Sequence, residues 1–138
     1  MIVDTSVLYA FFVGTEPAHD AVTELVHREA GVGNELVVSP FVIAELDYLV
    51  TNRFGVTAER AALDELSNGA WAIPRVSRED LHSIADVVTR YSDPRIGATD
   101  ASLVVLADRY ATKTIATLDR RHFEVLRGLD GAPFDIRP

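Results

Sequence analysis

Four acidic side chains stand where acids are conspicuous. Asp4 closes the apolar opening Met1-Ile2-Val3, and Asp119 follows the largely apolar run Thr114-Ile115-Ala116-Thr117-Leu118. Asp100 opens a helical stretch just after the turn Gly97-Ala98-Thr99, and Glu45 interrupts Phe41-Val42-Ile43-Ala44-Glu45-Leu46. At helical spacing Phe41, Val42, Glu45 and Leu49 share one face, which sets the Glu45 carboxylate against the core. A lone buried carboxylate is costly unless it is neutralised, paired or bound to a metal. Each acid also has an ordinary structural account. Asp4 and Asp119 suit helix caps, Asp100 suits the positive end of a helix dipole, and Glu45 could serve an arginine. The hydroxyls of Thr5, Ser6 and Thr117 flank the first and last acids, where they either orient a metal-binding carboxylate or cap a helix.

If the four carboxylates converge, electrostatics narrows the chemistry. Two like charges ~4 Å apart repel by about 4 kcal/mol at an effective dielectric of about 20, so the group holds protons or surrounds a cation. With no cysteine in the chain and no paired histidines, the donors are hard oxygens, which suit Mg²⁺ or Mn²⁺. An ion of that kind, kept partly hydrated, activates water and neutralises phosphoryl charge in the one- or two-ion manner of nucleases.

The elements that must bring the acids together read as alternating strands and helices. Met1–Asp4 predicts a central strand, followed by a short helical turn over Leu8–Phe12. Ala18, Ala21, Val22, Leu25 and Val26 recur at helical spacing between Pro17 and Arg28. Leu36–Val38 is a short buried strand. Ser39-Pro40 is a cap followed by proline at the first helical position, opening a helix to about Asn52. A further helix runs from after Thr57 to Gly69. Trp71–Val76 reads as a strand that Pro74 confines to an edge. Ser77 caps a helix with Glu79 and Asp80 in its first turn, and Leu81, Ile84, Ala85 and Val88 form its apolar stripe. Another helix spans Asp100 to about Tyr110, then a strand Lys113–Leu118, a short helix Arg120–Leu126 and a last strand Phe134–Ile136. Strands alternating with helices of this length imply an α/β domain with a parallel sheet covered on both faces. In such sheets ligands bind beyond the carboxyl ends of the strands, so Asp4 and Asp119 point toward one crevice.

At 138 residues, 48% hydrophobic and 25% charged, the chain has room for one globular core spanning 1–138. Every apolar run is too short to cross a membrane, and the opening MIVDTS lacks a basic-then-apolar leader. Absence of cysteine excludes disulfides, thiolate zinc sites and iron–sulfur clusters, so a cytoplasmic protein is expected. The net charge of −8, taken as an average, speaks against nucleic acid, but it is unevenly spread. Residues 1–89 carry 14 acids against 5 arginines, whereas residues 90–138 carry 7 acids against 8 basic side chains. Within that second part Arg95, Arg109, Lys113, Arg120 and Arg121 are the candidates for contact with a nucleic-acid backbone. Arg120 and Arg121 directly follow Asp119. His122 offers a general acid or a packing partner for Phe123, and its Arg-His-Phe context favours packing. Trp71, Tyr9, Tyr48, Tyr91 and Tyr110 fall on apolar faces and read as core.

Four segments, Ile2-Val3-Asp4-Thr5-Ser6, Ser39-Pro40-Phe41-Val42-Ile43-Ala44-Glu45-Leu46, Ile96-Gly97-Ala98-Thr99-Asp100-Ala101 and Thr117-Leu118-Asp119-Arg120-Arg121-His122-Phe123, occur in that order over residues 2–123. Together they resemble the PIN-domain ribonucleases, specifically the VapC-type toxins of prokaryotic toxin–antitoxin pairs. The resemblance implies a three-layer α/β/α fold with a mostly parallel sheet. It implies an acidic pocket in which Asp4, Glu45, Asp100 and Asp119 gather around Mg²⁺, with Mn²⁺ able to substitute, for cleavage of RNA phosphodiesters. Carried over, Asp4 and Asp100 would be the main metal ligands. Asp119 would ligate directly or through water, and Glu45 would ligate or position the attacking water. Ser6 and Thr117 would support them. A VapB-type antitoxin and a homodimer are the implied partners. The apolar stretches Leu8–Val13 and Phe41–Val50 are candidates for those surfaces, and the acid-rich first part of the chain suits a basic partner.

Two rivals compete with this reading. An Asp after the first strand also suits phosphohydrolases that form a phospho-aspartate, but those similar to haloacid dehalogenases need a second Asp where Ser6 stands. Response-regulator receivers want an early acidic pair, and neither class explains Glu45. A non-catalytic RNA- or antitoxin-binding module would keep the fold and cleave nothing, against which stand all four acids.

Overall fold

The computed structural model describes residues 1–68, 71–92 and 96–138. Arg95, and the end of the helix expected to close at Gly69, lie outside the described residues. In chain order the elements are β1 (Ile2–Val3), α1 (Thr5–Phe12), α2 (His19–Gly31), β2 (Leu36–Val38), α3 (Pro40–Phe54) and α4 (Val56–Asn68). They continue with β3 (Trp71–Ala72), α5 (Arg78–Arg90), α6 (Ala98–Arg109), β4 (Thr114–Ala116), α7 (Arg120–Val125) and β5 (Asp135–Arg137).

The five strands form one all-parallel sheet in the order β3-β2-β1-β4-β5. Ile2 pairs with Val37 and Ile115, and Val3 with Val38 and Ala116. All six of these residues are fully buried, as in strands packed on both faces. The chain leaves β1 toward β2 and β3 and then returns past β1 to β4. Right-handed crossovers in opposite directions place helices on both sides of the sheet. The order therefore reverses between β1 and β4, and a crevice opens there beyond the carboxyl ends of the two strands.

Most elements fall where the sequence places them, with instructive shifts. The helix expected from Leu8 begins at Thr5, because the Asp4 carboxylate accepts the Thr5 N–H and starts the helix three residues earlier. The strand expected over Trp71–Val76 ends at Ala72, before Pro74, and lies at the sheet edge as proline requires. Ser77 and Asp80 exchange hydrogen bonds at the start of α5, a capping box. Between α3 and α4 only Gly55 intervenes, at φ +80°, a conformation that side chains with a Cβ adopt with strain.

Helix α3 overturns two expectations. Its buried stripe is Val42, Leu46 and Val50, one residue every turn. Glu45 is exposed beside that stripe and does not press against the core. Tyr48 stands on the opposite side and is 69% exposed. A helix apolar nearly all round gives no sequence signal for its phase, so the packing of α1, α4 and α6 against it decides which residues face inward. Trp71, by contrast, is buried as expected, while Tyr9, Tyr91 and Tyr110 are half-buried against the core.

Helix α6 runs through the centre of the domain, with Ala101 to Ala107 buried without a break. A chain of hydroxyls ties its first turn to the start of α3. Ser102 Oγ donates to the Thr99 carbonyl at 2.7 Å, so its oxygen is left to accept the Ser39 hydroxyl, also at 2.7 Å. Ser39 Oγ in turn accepts the Phe41 N–H at 3.2 Å. Both serines are buried, and every proton in the chain has one acceptor. This relay joins the helix that carries Glu45 to the turn that carries Asp100. Ser102→Ala leaves the Ser39 hydroxyl without its acceptor in the core, and a loss of about 1–3 kcal/mol is expected. Urea unfolding would show it as a lower midpoint with an unchanged slope.

Candidate active site

Asp4 is the most constrained of the four acids. Its backbone N–H extends the β1–β4 ladder to the Ala116 carbonyl at 2.9 Å, and its carbonyl accepts the Leu8 N–H of α1. The residue is 6% exposed, and both oxygens of its carboxylate accept hydrogen bonds. Oδ1 accepts the Thr5 N–H at 2.7 Å, while Oδ2 accepts the hydroxyls of Thr117 at 2.7 Å and Ser6 at 2.8 Å. Those hydroxyls are aimed by the backbone after β4. The Asp119 N–H donates to Thr117 Oγ1 at 3.0 Å, and the Leu118 N–H to Ser6 Oγ at 2.9 Å. Thr117 itself is pinned to β5 through its N–H and the Arg137 carbonyl. Asp4 is thus the helix cap the sequence suggested, and the hydroxyls of Ser6 and Thr117, expected beside it, both bond its carboxylate.

Asp4, Glu45, Asp100 and Asp119 line one cavity of about 420 Å³ at the crevice, together with Thr5, Ser6, Leu49, Gly97, Thr99 and His122. Glu45 reaches it from α3, where Oε2 accepts the Thr5 hydroxyl at 2.8 Å. Asp100 enters from the first turn of α6 and is held at 3.2 Å from Nδ1 of His122. Burial raises the pKa of the Asp100 carboxyl, the His122 ring opposes that rise, and the charges of Asp4 and Glu45 add to it. Asp119 begins α7 and is held well below the usual carboxylate range by its hydrogen bonds to Arg121.

Like charges thus gather in one pocket and disfavour ionisation of the buried member. A cation there would relieve that penalty, and the donors are carboxylates and hydroxyls, the hard oxygens Mg²⁺ and Mn²⁺ prefer. The residues therefore fit such an ion, although among the described residues no three His, Asp or Glu side chains form a ready-made cage.

The basic candidates separate. Arg121 faces Asp119, with Nε and Nη2 at 3.1 and 3.2 Å from its two oxygens. Arg120 turns away toward Glu124 and the carbonyl of Pro138. Arg109 bonds Asp80 and the Arg75 carbonyl, and Lys113 pairs with Asp130, so both are committed far from the cavity wall. His122 is the residue that sequence reasoning undervalued. Its signal was its place three residues after Asp119, which on a helix begun by Asp119 turns it back toward the same pocket.

This fold, with acids converging at the β1–β4 crevice, defines a class. Residues 1–129 match the PIN domain family, and the chain belongs to that family. It is 52% identical over 138 residues to Ribonuclease VapC26 of Mycobacterium tuberculosis, covering 100% of both chains. Among solved structures it is similar to Mycobacterium tuberculosis VapC20, described as a Sarcin-Ricin loop cleaving toxin. That match has a TM-score of 0.71 and 17% identity over 83% of this chain and 85% of the other. It is also similar to VapBC2 from Rickettsia felis, bound to a DNA fragment from its promoter. There the TM-score is 0.70 at 18% identity over 99% of this chain and 98% of the other. The chain is a homologue of the VapC ribonuclease toxins, and its fold is theirs.

Thr117→Val keeps the shape of the side chain and removes one donor from Asp4 and one acceptor from the Asp119 N–H. Cleavage and divalent-ion affinity are expected to fall about 10- to 100-fold, as for other residues that orient a ligand. Titration with Mn²⁺ beside a denaturation curve separates that loss from unfolding.

Proposed function

We propose that this protein is the toxin of a toxin–antitoxin pair, an endoribonuclease that hydrolyses RNA phosphodiesters at the acidic crevice with Mg²⁺ or Mn²⁺. The observation that carries the reading is the convergence of Asp4, Glu45, Asp100 and Asp119 on one cavity, with Asp4 locked by three hydrogen bonds. Full-length identity of 52% to a protein named as a ribonuclease supports the same chemistry. The family membership leaves the phospho-aspartate reading without support, and Ser6 stands bonded to Asp4 where that chemistry wants a second acid.

Asp4, Asp100 and Asp119 would hold the ion, with Glu45 as a further ligand or as the carboxylate that orients water. The chemistry such a cation supplies when bound is a water of lowered pKa and neutralisation of charge on the phosphoryl oxygens. The chain's own residues do the rest. Ser6, Thr117 and the Thr5 N–H hold both oxygens of Asp4 in one orientation. Thr5 does the same for one oxygen of Glu45, and among the described residues the other has no hydrogen-bond partner and is left to orient a water. His122, with Nδ1 3.2 Å from a carboxylate oxygen of Asp100, orients that side chain toward the cavity. Arg121, and Arg95 outside the described residues, are the proposed phosphate contacts. Arg120 is close in sequence, but its present partners aim it elsewhere.

The partner is a VapB-type antitoxin, as in the toxin–antitoxin complex that shares this fold. A second cavity of about 630 Å³, lined by Phe11, Phe12, Val50, Phe54, Ala58 and Ala61 of α1, α3 and α4, offers an apolar seat for it. The acid-rich first part of the chain complements a basic segment. Tyr48 and Val56, exposed on the same helices, suit contact with a second copy in a homodimer. Among the described residues no helix is long and apolar enough to cross a membrane, and a cytoplasmic site of action is part of the proposal.

Purified protein is expected to cut a total-RNA pool with Mn²⁺ and not with EDTA, while Asp4→Asn and Asp100→Asn remain folded and lose at least 100-fold in rate. Undiminished cleavage by either variant would sink the assignment. Ala61→Arg, at the exposed wall of the apolar cavity, is expected to leave that cleavage intact and weaken antitoxin capture more than tenfold. Equal capture in a pull-down with the cognate antitoxin would remove the cavity from the interface.

A further inference from the structure

The four acids are not held alike. Asp4 is fixed by hydrogen bonds from a backbone amide and two hydroxyls, none of them charged. Asp119 occupies the cap position of α7, yet its side chain accepts no capping bond from that helix. What holds it is Arg121, two residues on, which lays Nε and Nη2 across both carboxylate oxygens. That fork is the geometry in which guanidinium also binds a phosphate. The Arg121 side chain is 86% exposed, so its bond to Asp119 is cheap to break and open to exchange.

From this contrast, and resting on the reading of the crevice as a divalent-ion nuclease site, we propose that Arg121 is a removable occupant of Asp119. It competes with the cation for that carboxylate and passes to an RNA phosphate when substrate enters. Arrival of the substrate and completion of the acidic ion site are then one event. Asp4 supplies the permanent ligand and Asp119 the conditional one. The phosphate that releases Asp119 also receives the charge that leaves it, so no unpaired guanidinium is created. Arg120 does not share this role, because it carries the same charge one residue earlier and pairs with Glu124.

The test reads two binding equilibria in the whole chain, neither of which requires cleavage. Mn²⁺ affinity, followed by the electron paramagnetic resonance of the free ion, is expected to rise about two- to fivefold in Arg121→Gln, the range an exposed ion pair commands. In an Asp119→Asn background the same substitution is expected to change nothing. Arg120→Gln, which removes an equal charge, is expected to give a clearly smaller rise. In EDTA the sign reverses. Arg121→Gln is expected to bind a labelled single-stranded RNA more weakly and to lower the salt slope by about 0.7, the value of one lost phosphate contact. The proposal is overturned if Arg121→Gln leaves Mn²⁺ affinity unchanged or lowers it. It is overturned equally by a matching gain in Arg120→Gln or in the Asp119→Asn background, or by unaltered RNA binding. If Asp4→Asn binds Mn²⁺ as tightly as the parent chain, the failure lies instead in the reading of the crevice as the ion site.

Discussion

The carboxylate of Asp4 is the fixed point of this molecule. It sits at the end of the central strand, nearly out of reach of solvent, and survives there because three donors meet its two oxygens. A buried charge without such partners would cost several kcal/mol or take up a proton. The donors come from α1 and from the Thr117 hydroxyl just after β4, two segments more than a hundred residues apart in sequence. Satisfying Asp4 therefore also fastens the switch point of the sheet. The same bonds that make the acid tolerable set where Asp119 begins α7 and how α1 leaves β1.

From that anchor the other acids are positioned by progressively looser means. Glu45 is tied to Thr5, the residue next to the anchor, and the helix that carries it is tied to α6 by the buried Ser39–Ser102 relay. Asp100 rides on the most buried helix in the domain and faces His122. Asp119 is held chiefly by the exposed side chain of Arg121. Rigidity is thus graded across the cavity, from a carboxylate with no freedom to one that can change partner. A site proposed to accept both an ion and a bulky polyanion would benefit from that gradient, since preorganised ligands set affinity and an adjustable one admits the substrate.

Much of this was legible in the sequence because it rests on local rules. Apolar runs ending in Asp4 and near Asp119 announced strands with acids at their carboxyl ends, and parallel topology made those ends meet. Ser39-Pro40 and Ser77 announced helix starts, and both helices begin there. What could not be read was decided by tertiary packing. The uniform apolarity of α3 hid its phase, so Glu45 and Tyr48 looked buried and are exposed. Arg109 and Lys113 looked free for RNA, but Asp80 and Asp130, distant in sequence, already hold them. His122 looked like packing because nothing in Arg-His-Phe reveals that Asp100 waits across the crevice.

Diffraction from crystals grown with Mn²⁺, recorded at a wavelength where manganese scatters anomalously, tests the central claim most directly. An anomalous peak is predicted in the crevice, with oxygens of both Asp4 and Asp100 at about 2.1 Å, the distance expected for a small hard cation. A loaded crystal with no peak in the crevice, or a peak bound by other residues while Asp4 remains satisfied by its three donors alone, would contradict it. Asp4 would then be a buried cap that stabilises the fold.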